Sequence, residues 1–69
     1  MTITFIGGGN MARAIIGGLL EKGYAPEAIG VAETSHEASE RLHRELRVRC
    51  FGSPAQAAPF GDLLVMAVK

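Results

Sequence analysis

The chain is 69 residues long, and its seven Lys+Arg balance seven Asp+Glu. A formal net charge of zero leaves no electrostatic footprint for nucleic acid or an anionic membrane. A single cysteine, Cys50, excludes an intrachain disulfide, and no Cys/His cluster has metal-ligand spacing.

Residues 2–6 (TITFI) read as a short strand, with β-branched and aromatic side chains and no charge. Asn10 to Lys22 reads as a helix in which Met11, Ile15 and Leu19 recur every fourth residue, joined by Ala14 and Ile16. Gly23 follows as its expected C′ residue. Residues 29–33 (IGVAE) read as a second strand ending in a charge. Thr34 and Glu37 then form a T-x-x-E capping box that opens a helix with Ala38, Leu42 and Leu46 on one face.

A third strand is expected over Val48 to Phe51. Ser53-Pro54-Ala55-Gln56 gives a second capping box with Pro at the first helical position, so a short helix should run to Ala58, before Pro59. Asp62 to Val68 (DLLVMAV) is continuously apolar after its first residue, as in a parallel strand covered on both faces. Its apolar run of six residues, Leu63 to Val68, is far too short to span a bilayer.

Strand and helix alternate throughout, with no internal repeat or linker. The fold class expected is α/β: the N-terminal part of a Rossmann-type doubly wound parallel sheet, β-α-β-α-β-α-β, with right-handed crossovers. Uncovered, LLVMAV would be an unguarded apolar edge. A chain this short also buries only about 60% of its unfolded surface. The expectation is therefore a truncated fold, the first portion of a longer protein. No basic stretch followed by an apolar stretch opens the chain, so a soluble cytoplasmic protein is expected.

Directly behind the first strand stands Gly7-Gly8-Gly9-Asn10-Met11-Ala12, which fits G-x-G-x-x-G/A and opens a helix. Gly7 permits the tight turn, Gly9 presents no side chain to an approaching pyrophosphate, and Ala12 lets helix and strand pack closely. The unpartnered N–H groups at the helix start sit at the positive end of its dipole, where an anion fits. A ligand-free βαβ turn is the alternative. Against it, Glu33 ends the second strand about 20 residues on, as the dinucleotide fingerprint requires. There a carboxylate accepts hydrogen bonds from an adenosine ribose 2′-OH and repels a 2′-phosphate, which favours NADH over NADPH. A merely solvated strand end remains the other reading of Glu33.

The segments F-I-G-G-G-N-M-A (5–12), Gly17-Gly18-Leu19 and M-A-V-K (66–69) resemble the start of bacterial pyrroline-5-carboxylate reductases, in element order and spacing along the whole chain. The resemblance implies NAD(P)H-dependent reduction of 1-pyrroline-5-carboxylate to L-proline, the last step of proline biosynthesis. It implies a pyrophosphate loop of Ile6, Gly7, Gly8, Gly9, Asn10 and Met11, with Glu33 at the adenosine ribose. Ala67, Val68 and Lys69 become a second loop against the cofactor. The family usually uses NADPH, whereas Glu33 argues for NADH. The resemblance further implies a small-molecule imine substrate and a C-terminal helical domain that carries the substrate-binding residues and makes a homo-oligomer. No catalytic residue then falls within these 69 residues, and the fragment alone is expected to be inactive.

Two other readings stay open. One is another NAD(P)-dependent dehydrogenase of the deazaflavin-NADP reductase or 3-hydroxyacid dehydrogenase type, although many of the latter carry G-x-M-G. The other is a non-catalytic dinucleotide sensor. Cys50 reads as an inert core thiol with no partner His nearby, and His36 and His43 as a solvated helix face. Gly17-Gly18 suggests close helix–sheet contact, and Met11 fits a ligand contact and a core position equally.

Overall fold

A computed structural model describes residues 1–7 and 9–67. The elements follow the expected order: β1 Ile3–Ile6, α1 Asn10–Glu21, β2 Ile29–Ala32, α2 His36–Leu46, β3 Arg49–Phe51, α3 Pro54–Ala57 and β4 Leu63–Met66. Short 3-10 turns cover Pro26–Ala28 and Ala58–Phe60. The sheet order is β3-β2-β1-β4, and every pairing is parallel. Ile3 stands opposite both Ile29 and Leu63, and Ile6 opposite both Ala32 and Met66. The doubly wound parallel sheet expected from the alternating pattern is therefore present.

Strand alternation sorts side chains onto two faces. On one, Ile3, Phe5, Ile29, Val31 and Val48 pack with Ala12 and Ile16 of α1 and Leu42 of α2. On the other, Ile6 and Ala32 pack with Ala57 of α3, flanked by Phe51. The buried Thr4 also faces α3, where its hydroxyl donates to the Ala57 carbonyl at 3.1 Å and so avoids an unsatisfied polar group.

Several local signals act as the sequence suggests. Gly23, at φ +92°, ends α1 in a Schellman motif: its N–H bonds to the Leu20 carbonyl and that of Tyr24 to Leu19, both at 3.0 Å. The Ser53 hydroxyl caps α3 by accepting from the Gln56 N–H at 3.3 Å. Leu42 is buried, with Ala38 and Leu46 partly covered beside it.

Other expectations need correction. The buried residues of α1 are Ala12 and Ile16, while Met11 and Ile15 are exposed. Apolar residues run most of the way round this helix, so periodicity alone did not single out the sheet-facing stripe. Gly17 and Gly18 make no close approach, since a Cβ at either would meet nothing within 4 Å. The close approach lies instead at Gly30, where a Cβ would stand 2.7 Å from a Phe60 ring carbon. The N-cap of α2 is Ser35, not Thr34; its hydroxyl accepts from the Ala38 N–H at 3.3 Å. β4 is not covered on both faces: Leu63, Leu64 and Met66 are all exposed, because no described residue pairs beyond it.

Candidate dinucleotide-binding site

The carboxyl ends of β1, β2 and β4 lie side by side, because their parallel register puts Ile6 next to Ala32 and Met66. Just beyond that line, the Gly7 N–H donates to the Ala32 carbonyl at 3.2 Å and the Ala67 N–H to the Ile6 carbonyl at 2.9 Å. The Glu33 N–H donates to the Phe51 carbonyl at 2.9 Å. Ile6, Gly7, Glu33 and Ala67, far apart in sequence, thus meet at one sheet end, where open α/β sheets bind ligands. Gly9, Asn10 and Met11 lead from it into α1. Gly8, Val68 and Lys69 lie outside the described residues.

Two glycines of the loop do different work. Gly7 has φ +101°, a conformation that side chains rarely adopt, so the turn out of β1 requires it. Gly9 has φ −71° and ψ −172°, which any residue tolerates, and a Cβ there would meet nothing within 4 Å. Nothing in the described protein needs glycine at this position. The space over Gly9 is what a pyrophosphate needs to reach the backbone.

The start of α1 matches that need. Gly9 is its N-cap, no side chain caps it, and no acidic residue stands in its first turn. Its positive dipole end is left for an outside anion. Ala12, 1% exposed, sets the close helix–strand packing that the fingerprint asks of it. Met11 is 62% exposed, which removes the core reading for it.

Glu33 follows β2 directly and is half-buried. Its Oε2 accepts from the Ser35 N–H at 2.9 Å, which fixes the carboxylate beside the start of α2. Ser35 was not singled out from the sequence; the acid-x-Ser spacing of Glu33 and Ser35 was the available signal. His36 pairs with Glu40 at 3.0 Å on an exposed face, as expected. His43 is also exposed, but its Nδ1 stands 3.2 Å from the Val48 carbonyl. Cys50 is half-buried rather than core, and its Sγ donates to the Ser39 carbonyl at 3.3 Å. Burial pushes its thiol up, which fits inertness, although His43 lines the same cleft. Among the described residues, no group of three His, Cys, Asp or Glu could hold a metal ion, and no helix is long and apolar enough to cross a membrane.

A glycine turn from a parallel strand into an uncapped helix, with an acid at the next strand end, defines a nicotinamide dinucleotide-binding unit of Rossmann type. Residues 2–69 match the family described as NADP oxidoreductase, coenzyme F420-dependent, and the chain belongs to that family. It is similar to the pyrroline-5-carboxylate reductase of Vibrio alginolyticus, 37% identical over 67 residues that make up 97% of this chain and 25% of the relative. The corresponding enzyme of Synechocystis is 42% identical over 65 residues, covering 93% of this chain and 24% of the relative. The solved structure of a pyrroline-5-carboxylate reductase from Coxiella burnetii superposes with a TM-score of 0.90 at 40% identity, covering 97% of this chain and 25% of that one. The chain thus spans about a quarter of the length of the proteins it matches.

Proposed function

We propose that the chain is the N-terminal coenzyme-binding portion of an NAD(P)H-dependent pyrroline-5-carboxylate reductase, with NADH preferred over NADPH. The observation that carries this reading is the uncapped start of α1 above Gly9, set beside the Glu33 carboxylate at one end of the sheet. The relatives' names support the reaction, and the 42% and 37% identities span nearly the whole chain.

The nicotinamide supplies the reducing equivalent when the dinucleotide is bound. This chain's residues hold and orient it. Gly7 and Gly9 bring backbone close to the pyrophosphate, the resemblance adds Gly8 to the same loop, and the first N–H groups of α1, including those of Asn10 and Met11, face its charge. Glu33 accepts from the ribose 2′-OH and repels a 2′-phosphate. Ile6 and Ala67 stand together at the same sheet end, and the resemblance assigns Val68 and Lys69, outside the described residues, to the second coenzyme loop. The imine-binding residues and the surface of a homo-oligomer belong to a following helical domain, while further strands and helices of the same sheet would cover the exposed Leu64 and Met66.

The test is the initial rate of the full-length protein with 1-pyrroline-5-carboxylate and NADH or NADPH in parallel. Turnover with NADH ahead is the expected result. Turnover with NADPH ahead would keep the enzyme and remove Glu33 from the ribose. Coenzyme binding without turnover would shift the reading to another dehydrogenase of the same family or to a sensor.

A further inference from the structure

The flank of α1 turned away from α2 is apolar and open. Arg13, the one charged residue of α1 before Glu21, pairs with Glu45 and so marks the flank toward α2. At 3.6 residues per turn, Met11, Ile15 and Gly18 fall on the opposite flank, toward the β4 side of the sheet. Met11 and Ile15 are exposed there, with Leu19 half-buried beside them. Next to this flank, Leu63 and Val65 of β4 share the sheet face of Ile3 and Phe5, on which α1 packs, and Leu63 is exposed. The two surfaces meet in an apolar corner, with α1 as its wall and β4 as its floor.

Gly18 stands on the same wall, and a Cβ there would meet nothing within 4 Å. Glycine in a helix interior is destabilising relative to alanine, and no contact among the described residues requires it. A second helix crossing close to α1 does require it, because a missing side chain lets the axes approach.

Topology narrows the occupant. Right-handed crossovers put α1 and α2 on one face as the chain steps from β1 out to β3, and α3 on the other as it steps back to β4. A helix that continues outward from β4 joins the face of α3, where Leu64 and Met66 point. The next crossover therefore leaves the corner open.

We infer that this corner receives a helix from a later part of the same chain, beyond that crossover, laid along α1 over Leu63 with Gly18 at the crossing point. The inference rests on the reading of the chain as the N-terminal portion of a longer enzyme. The chain spans about a quarter of the length of the relatives it matches, so most of such a protein lies outside these residues. Met11 belongs to the first turn of α1, so a helix seated in the corner ends beside the dinucleotide site.

The test uses the full-length protein carrying Ile15→Cys or, separately, Leu63→Cys, both at exposed positions of the described residues. Iodoacetamide alkylation, read by peptide mass, should be at least about tenfold slower at either position in native protein than in urea, because the thiol is covered. p-Benzoylphenylalanine in place of Lys22, at the exposed end of the same flank, should photo-cross-link to a residue beyond position 69 within one chain mass. Alkylation at the denatured rate at both positions would overturn the inference, as would a cross-linked product of twice the chain mass, which would mean a second copy in the corner. Neither readout depends on turnover, so coenzyme binding and imine reduction by the same protein hold or fail separately from it.

Discussion

α1 and α2 lie on the same face of the sheet and bury their side chains in the same core, yet their ends are built in opposite ways. α1 begins bare, with glycine as N-cap, and ends in a Gly23 Schellman turn. α2 begins filled, with the Ser35 hydroxyl on the Ala38 N–H, Glu37 in the first turn and the Glu33 carboxylate on the Ser35 N–H. It ends on Arg47 at φ 63°, a left-handed conformation that favours glycine. A side-chain N-cap contributes about 1 kcal/mol. α1 forgoes that stabilisation at the place where an external anion would supply the missing acceptor.

The sharpest way to break this contrast is to give α1 a cap of its own. Gly9→Asp should lower coenzyme affinity about a hundredfold, through steric block and charge repulsion of ~1–4 kcal/mol at 4 Å. The same change should raise thermal stability slightly, by roughly 0.5 kcal/mol, because Asp caps better than Gly and complements the dipole. Titration of coenzyme fluorescence and urea unfolding would show the two opposite signs; unchanged affinity would end the loop assignment. Gly9→Val removes space without adding charge and should cost about tenfold, or ~1.4 kcal/mol.

Emptying α2 is the reverse experiment. Glu33→Ser should raise the kcat/KM ratio of NADPH to NADH by about tenfold, within the range of one charge–charge contact near the surface. An unmoved ratio would mean that Glu33 does not face the 2′ position. Ser35→Ala should lower unfolding free energy by ~1 kcal/mol in urea titrations while the coenzyme ratio changes little.

Smaller effects sharpen the picture at the other end of α2. Arg47→Gly should stabilise the fold by about 0.5–1 kcal/mol, because the left-handed cap no longer carries a side chain. The Cys50 thiol is raised by burial, so its neutral form is favoured in the folded state. That contribution is complete below the ordinary value of 9.0 and is lost as pH rises through the higher folded value. Folded protein should therefore alkylate at Cys50 more slowly than denatured protein at neutral pH, and the gap should narrow above that value.

Much of this was legible because the signals are local. The turn at Gly7, the stop at Gly23, the Ser53 cap and the Leu42 stripe each depend on residues within one turn of the chain. The β-α-β alternation follows from period and punctuation in the same way. Where a local signal pointed to a neighbouring residue, the sequence chose wrongly: the T-x-x-E box singled out Thr34 although Ser35 is the cap, and the recurrence of Met11 and Ile15 marked a stripe that is exposed while Ala12 and Ile16 are buried.

The tertiary structure decided what depends on pairing between distant residues. The order β3-β2-β1-β4 carries the chain past β1 and leaves Leu63, Leu64 and Met66 exposed at one edge. Gly30 is required because Phe60, thirty positions later in the chain, packs over it. The same pairing draws Gly7, Glu33 and Ala67 to one sheet end through the Ala32, Phe51 and Ile6 carbonyls. Residue types and their local spacing determined the glycine turn, the Gly23 and Ser53 helix ends and the class of ligand. Which faces touch, and which carboxylate stands beside which helix, were settled only when parallel hydrogen bonding fixed the register, because that choice is made between segments that no local window contains.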